Sequence, residues 1–136
     1  MNILVPLDGS ENSQKALLQA CDLAKNHQGH LVLVYVVDKP LSLNLLDRKE
    51  YLGILRKFGN KVLIKGKEIA KNQGVDVTTI IKEGNISNEI VKLARNKKCN
   101  LIIVGSKGLG KTARFFLGSV SSKLANNSPC SILIVK

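Results

Sequence analysis

Five short apolar runs divide the chain: Asn2 to Leu7, Leu31 to Val37, Val75 to Lys82, Leu101 to Val104 and Cys130 to Val135. Each is rich in β-branched residues and bounded by Gly, Asn or Pro, which is how a strand reads. Leu31 to Val37 is apolar without alternation, as expected of a parallel strand buried on both faces. Between the runs the apolar period changes to that of a helix. Ala16, Leu17, Ala20, Leu23 and Ala24 fall on one face of a first helix. Ser10 caps its start, with Glu11 in the first turn, and Gly29 is expected to stop it. Leu55, Phe58, Val62 and Ile69 mark the inner face of a long helix from about Leu46 to Asn72, closed by Gly74. Gly84-Asn85-Ile86-Ser87 caps a short helix through Arg95, with Ile90, Val91 and Ala94 inward. Gly118 to Asn126 is the last helix, and Lys111 to Phe116 adds one helical turn before it. Strands alternating with helices predict one α/β domain over residues 1–136. Its five-stranded parallel sheet carries helices on both faces, in the Rossmann-like manner.

The chemistry-bearing residues cluster at strand ends. Val104-Gly105-Ser106-Lys107-Gly108 follows the fourth strand, and nine residues later comes Gly118-Ser119-Val120-Ser121. Loops at the C-terminal edge of a parallel sheet are where open α/β folds bind ligands. Glycines there let backbone N–H groups approach an anion, and a helix opening at Gly118 presents further N–H groups and its dipole. Gly105 to Thr112 also fits the phosphate-binding pattern G-x-x-x-x-G-K-[ST]. That reading puts Gly118 inside a helix starting near Lys111, where Gly costs about 1 kcal/mol against Ala. It also leaves no suitable downstream strand for the metal-binding aspartate. Gly118 is better placed as a helix start.

The same glycine spacing, G-x-x-G-x9-G-S, occurs together with Val5-Pro6-Leu7-Asp8-Gly9-Ser10 after the first strand. With Val34-Tyr35-Val36-Val37-Asp38 and Pro129-Cys130-Ser131-Ile132-Leu133-Ile134-Val135, the chain resembles the universal stress protein family, in its ATP-binding branch. The resemblance spans nearly the whole sequence. It implies an adenine nucleotide alpha hydrolase-like fold with strand order 3-2-1-4-5, which sets strands one and four side by side. It implies ATP as ligand, with Mg²⁺ held mainly by ATP oxygens and waters. Gly105 and Gly108 would offer N–H groups to the phosphates, Gly118 would allow close approach, and Ser119 and Ser121 would add hydroxyls. Val104 and Val120 flank these glycines. Lys107, Lys111 and Arg114 could neutralise phosphate charge or could equally be solvated. Asp8 would contact the ribose side, Pro6 and Val36 would line the adenine slot, and Leu7 is a further binding residue beside them. Asp8 could equally cap the first helix.

Charge widens the list of partners. The 136 residues carry a formal net charge of +11. After Glu89 there are nine basic residues and no acidic one. Arg56, Lys57, Lys61, Lys65, Lys67 and Lys71 share the long helix. Such a field attracts polyanions, including nucleic acid or an anionic membrane, although the cluster on the long helix reads first as a solvated surface. Only five residues are aromatic, which disfavours a base-stacking platform, and no nucleic-acid-binding motif is visible. No apolar run reaches the roughly 18 residues of a membrane span. The first strand begins almost at Met1, so a cytoplasmic location is expected. Cys21, Cys99 and Cys130 lack metal-ligand or disulfide-framework spacing, and Cys21 reads as a small core residue. His27 and His30 lie at the opposite sheet edge from the glycine loop. No nucleophile–base constellation appears. The expectation is therefore nucleotide binding without fast turnover, in a regulator or sensor. A slow ATPase and a basic RNA-binding stress protein are the alternatives. The last strand is an apolar sheet edge with no later element to cover it, which predicts a homodimer through Cys130 to Val135.

Overall fold

Successive residues of a strand point to opposite faces, and here they feed two separate apolar layers. The computed structural model describes residues 1–39, 44–107 and 118–136. Its elements are β1 (Asn2–Pro6), α1 (Glu11–His27), β2 (His30–Asp38), α2 (Leu45–Asn72), β3 (Asp76–Gly84), α3 (Ile86–Asn96), β4 (Leu101–Gly105), α4 (Ser119–Asn127) and β5 (Ser131–Val135). The strands form one parallel sheet in the order β3-β2-β1-β4-β5. Ile3, Val5, Leu31, Leu33 and Val37 join α1 and α2 on one face. Leu4, Val32, Val34, Ile102 and Val104 join α3 and α4 on the other. The central strands are thus buried on both sides, as the unbroken apolar run of β2 predicts. Each fully buried Leu or Ile contributes about 1.5–3 kcal/mol relative to exposure. Cys21 is fully buried in the first layer.

Helix starts follow the capping logic of the sequence. Ser10 accepts from the Ser13 N–H at 3.1 Å, and Asn85 from the Asn88 N–H at 3.1 Å. Three expectations are corrected. The left-handed residue that ends α1 is Gln28, at φ 49°, and Gly29 follows it. The inner face of α2 is also rotated from the one read in the sequence. Leu52, Leu63 and Ala70 are the buried residues, with Gly59 and Gly66 between them. Leu55, Val62 and Ile69 flank this face, and Phe58 is 39% exposed. The glycines allow the helix to lie close to the sheet. A Cβ on Gly66 would come within 2.8 Å of Leu7 Cδ1, and one on Gly59 would collide with the Tyr35 ring. In α3, Leu93 is buried where Val91 was expected, and Val91 is only partly covered. The expected turn from Lys111 to Phe116 lies outside the described residues.

β1 pairs with β2 on one side and β4 on the other, with Ile3 opposite Leu101 and Leu4 opposite Ile102. The chain therefore leaves β1 and β4 side by side. From these ends one connection crosses to α1 on one face, and the other leads to α4 on the opposite face.

Candidate functional site

A cavity of about 360 Å³ opens where β1, β2 and β4 end. Sites for small ligands typically measure about 300–1,000 Å³. Eleven of the residues proposed from sequence line it: Pro6, Leu7, Asp8, Val36, Val104, Gly105, Lys107, Gly118, Ser119, Val120 and Ser121. Gly108, Lys111, Thr112 and Arg114 lie outside the described residues.

Ser106 organises the β4 side. It is 3% exposed, and its groups tie three segments together. Its N–H donates to Val135 O at 2.8 Å, and its carbonyl accepts from the Gly118 N–H at 2.6 Å. Its Oγ accepts from Asn12 Nδ2 at 3.1 Å. The two described ends of the glycine loop are thereby held together. Ser121 is also buried, with its hydroxyl 3.1 Å from both Ser106 O and Gly118 O. Its single proton serves this clasp, leaving only lone pairs for anything else. Ser119 is exposed at the start of α4.

Gly118 is the N-cap of α4, as the glycine spacing suggested. It makes no side-chain cap, and the first turn carries no acidic residue. α1, α2 and α3 are each capped by a Ser or Asn side chain. The first N–H groups of a helix have no intrahelical partner and carry partial positive charge. Those of α4 border the cavity beside Lys107. A Cβ on Gly118 would sit 3.0 Å from Ser106 O, so any side chain here crowds the clasp.

Asp8 marks the β1 side, and it is not the cap of α1; Ser10 is. Asp8 Oδ1 instead accepts from the Ser10 N–H at 2.8 Å, fixing the turn that leads into the helix. Its N–H faces Ser13 Oγ at 3.5 Å. The carboxylate and burial together affect Tyr35. Burial first, then the negative charge of Asp8, push the Tyr35 phenol up, so it stays protonated.

The remaining wall was not read from the sequence. Val34, Ile86 and Ile90 extend the apolar floor, while Ser13, Tyr35, Asp38, Tyr51 and Leu55 add a second side. Tyr51 and Leu55 come from α2, and Ile86 and Ile90 from α3. No local motif links these segments to the glycine loop. Only the 3-2-1-4-5 order, with helices on both faces, could have pointed to them. His30 lies at the other end of β2, paired with Asp76 at 2.7 Å and Thr78 at 2.8 Å. Among the described residues there is no cluster of His, Cys, Asp or Glu that could hold a metal ion. Nor is any described helix long and apolar enough to cross a membrane.

The cavity thus joins apolar side chains to an uncapped helix N-terminus and a lysine, with the carboxylates of Asp8 and Asp38 also in its lining. It suits a ligand with one apolar part and one anionic part.

Comparison with known proteins agrees on the whole chain. The protein YxiE of Bacillus subtilis, a universal stress protein, is 37% identical over 146 aligned positions, covering 98% of this chain and 97% of its own. The structure of universal stress protein UspA from Lactobacillus plantarum superposes with a TM-score of 0.92 at 25% identity, covering 100% of this chain and 97% of that one. A universal stress protein solved in complex with cAMP matches with a TM-score of 0.78 at 26% identity, over 100% of this chain and 97% of that one. The sequence model of the Universal stress protein family matches residues 1–136. With the glycine spacing and the strand order both in place, this chain belongs to the universal stress protein family.

Proposed function

We propose that this chain binds an adenine nucleotide, ATP with Mg²⁺, in the cavity at the ends of β1, β2 and β4. In this reading it works in the cytoplasm as a nucleotide-dependent regulator or sensor with little or no rapid hydrolysis. The observation that carries the proposal is the uncapped, acid-free start of α4 at Gly118, which borders the cavity beside Lys107. The N–H groups of Ser119 and its neighbours, together with Gly105 and Lys107, would hold the phosphates. The apolar slot between Pro6, Val36 and Ile90 would take the base, with Asp8 accepting from a ribose hydroxyl. Bound ATP would bring most of the oxygen ligands for Mg²⁺ itself. The cAMP complex of a relative supports nucleotide as the ligand class. No reaction step is assigned to any residue in this reading. We further propose a homodimer through β5.

Calorimetry with ATP, ADP and cAMP tests the binding. Gly118→Val should weaken ATP binding at least about tenfold, equivalent to 1.4 kcal/mol. Ser119→Ala should weaken it more than Thr112→Ala. Unchanged affinity in a folded Gly118→Val protein would sink the assignment. A larger effect at Thr112 would move the phosphates to the Lys111–Thr112 segment. Tyr35 and Tyr51 are the chain's two tyrosines, it has no Trp, and both line the cavity. Intrinsic fluorescence is therefore a second reporter of the same site.

A further inference from the structure

The outer face of α2 carries a row that nucleotide binding leaves unexplained. Ile54, Lys57, Phe58, Lys61, Ile64 and Lys65 follow each other at spacings of three or one, which is a single stripe along a helix. Ile54 is 61% exposed, Ile64 is 60% exposed, and all three lysines are exposed. Largely exposed isoleucines recurring along one face are not required by the core, which α2 meets through Leu52, Leu63 and Ala70. Glu68 continues the stripe toward the C-terminus, and Asp47 and Glu50 lie at its N-terminal end. The middle of the row is basic and apolar together.

A second feature adjoins it. Phe58, Lys61 and Lys65 also rim a cleft of about 240 Å³ between α1 and α2, floored by Leu17, Val62 and Ile69. Among the described residues, no acidic side chain lines that cleft. The apolar surface therefore continues inward from the ridge, with ammonium groups at its mouth.

We infer that the α2 face is a docking surface for an anionic phospholipid membrane. Helices that lie in a bilayer interface combine lysines on the polar flanks with aliphatic residues that enter the acyl boundary. Lysines contribute through attraction to the headgroups, and the chain's net charge of +11 adds long-range attraction to a negative surface. The 28 residues of α2 form a rod of about 42 Å, long enough to lie flat with Ile54 and Ile64 on the same side. RNA would use the lysines but has no use for exposed isoleucines. Its stacking contacts need aromatic faces, and the one aromatic ring in the row, Phe58, is engaged edge-to-face with Tyr35 at a centroid distance of 5.9 Å.

Vesicle flotation of the whole protein tests this at about 0.15 M salt. Vesicles of equal phosphatidylcholine and phosphatidylglycerol should carry the protein, and pure phosphatidylcholine vesicles should not. The pair Lys57→Glu with Lys61→Glu should reduce partitioning at least about tenfold, and so should the pair Ile54→Ser with Ile64→Ser. These four positions are exposed and outside the nucleotide cavity, so circular dichroism and ATP binding should be unchanged in both. Failure of the wild-type protein to float with the anionic vesicles overturns the inference. So does retention of binding by the serine pair. If the glutamate pair alone loses binding, the contact is general polyanion attraction, which RNA would satisfy equally.

Discussion

A Cβ built on Gly105 would lie 2.8 Å from the carbonyl carbon of Asn12 and 3.0 Å from its oxygen. Both are backbone atoms of the first turn of α1, which cannot swing aside as a side-chain tip can. Gly105 is thus held to glycine by the packing of α1 against β4, whatever ligand its N–H meets. Gly118 differs: its φ of −64° suits any residue, and the constraint is the approach to Ser106 O. The expected outcomes separate accordingly. Gly105→Ala should lower unfolding stability by about 1–3 kcal/mol, the usual cost of forcing a methyl into a packed contact. Urea denaturation measures this directly. An unchanged midpoint would mean that α1 can retreat from β4 without cost. Gly118→Val, by contrast, should show its larger effect in ligand affinity. Both glycines were legible as functional candidates from their spacing alone. The structural demand on Gly105 was not, because Asn12 is 93 positions away in sequence.

At the level of elements, strands were easier to read than helix faces. β2 announces itself by seven consecutive apolar residues, and the glycine spacing correctly sets the start of α4 at Gly118. In α2 the apolar period finds Leu55, Val62 and Ile69, which pack against the core, but misses the buried line through Gly59 and Gly66, which carry no hydrophobic signal. Leu55, Phe58, Val62 and Ile69 are a periodic set, but they border the contact, and the close approach to Tyr35 and Leu7 lies in another part of the chain. The cavity wall from α2 and α3 was hidden for the same reason. These helical glycines give opposite expectations under one substitution. Replacing a solvent-facing helical Gly by Ala stabilises by about 0.5–1 kcal/mol. Gly53 has nothing within 4 Å of where its Cβ would lie, so Gly53→Ala should raise the melting temperature. At Gly59 the same methyl meets the buried ring of Tyr35. The gain in propensity is then outweighed by about 1–3 kcal/mol of overpacking. Gly59→Ala should melt lower than the parent protein. Equal shifts in both variants would show that Tyr35 moves freely, and would undo the account of how α2 sits on the sheet.

At the scale of the whole molecule the sheet has two edge strands: among the described residues β3 pairs only with β2, and β5 only with β4. Leu133 at the centre of β5 is 37% exposed. The Ser106 N–H donates to Val135 O at 2.8 Å, so the polar groups of Val135 face β4. Backbone direction alternates along a strand. The groups of Leu133 therefore also face β4, while those of Ile132 and Ile134 face the free edge. A two-fold axis beside β5 would pair it antiparallel with its mate through those two residues, with Cys130 and Lys136 at the rim. Proline separates the inner from the outer bonds, because it removes one N–H. Ile134→Pro should remove an outward donor, spare the β4 ladder and yield a folded monomer. Leu133→Pro should break the internal ladder and yield unstable or insoluble protein. Light scattering at a concentration on the order of tens of micromolar distinguishes these states, a range where a specific interface of ordinary size is populated. A wild-type monomer there would refute the dimer, and a dimeric Ile134→Pro protein would move the interface away from β5.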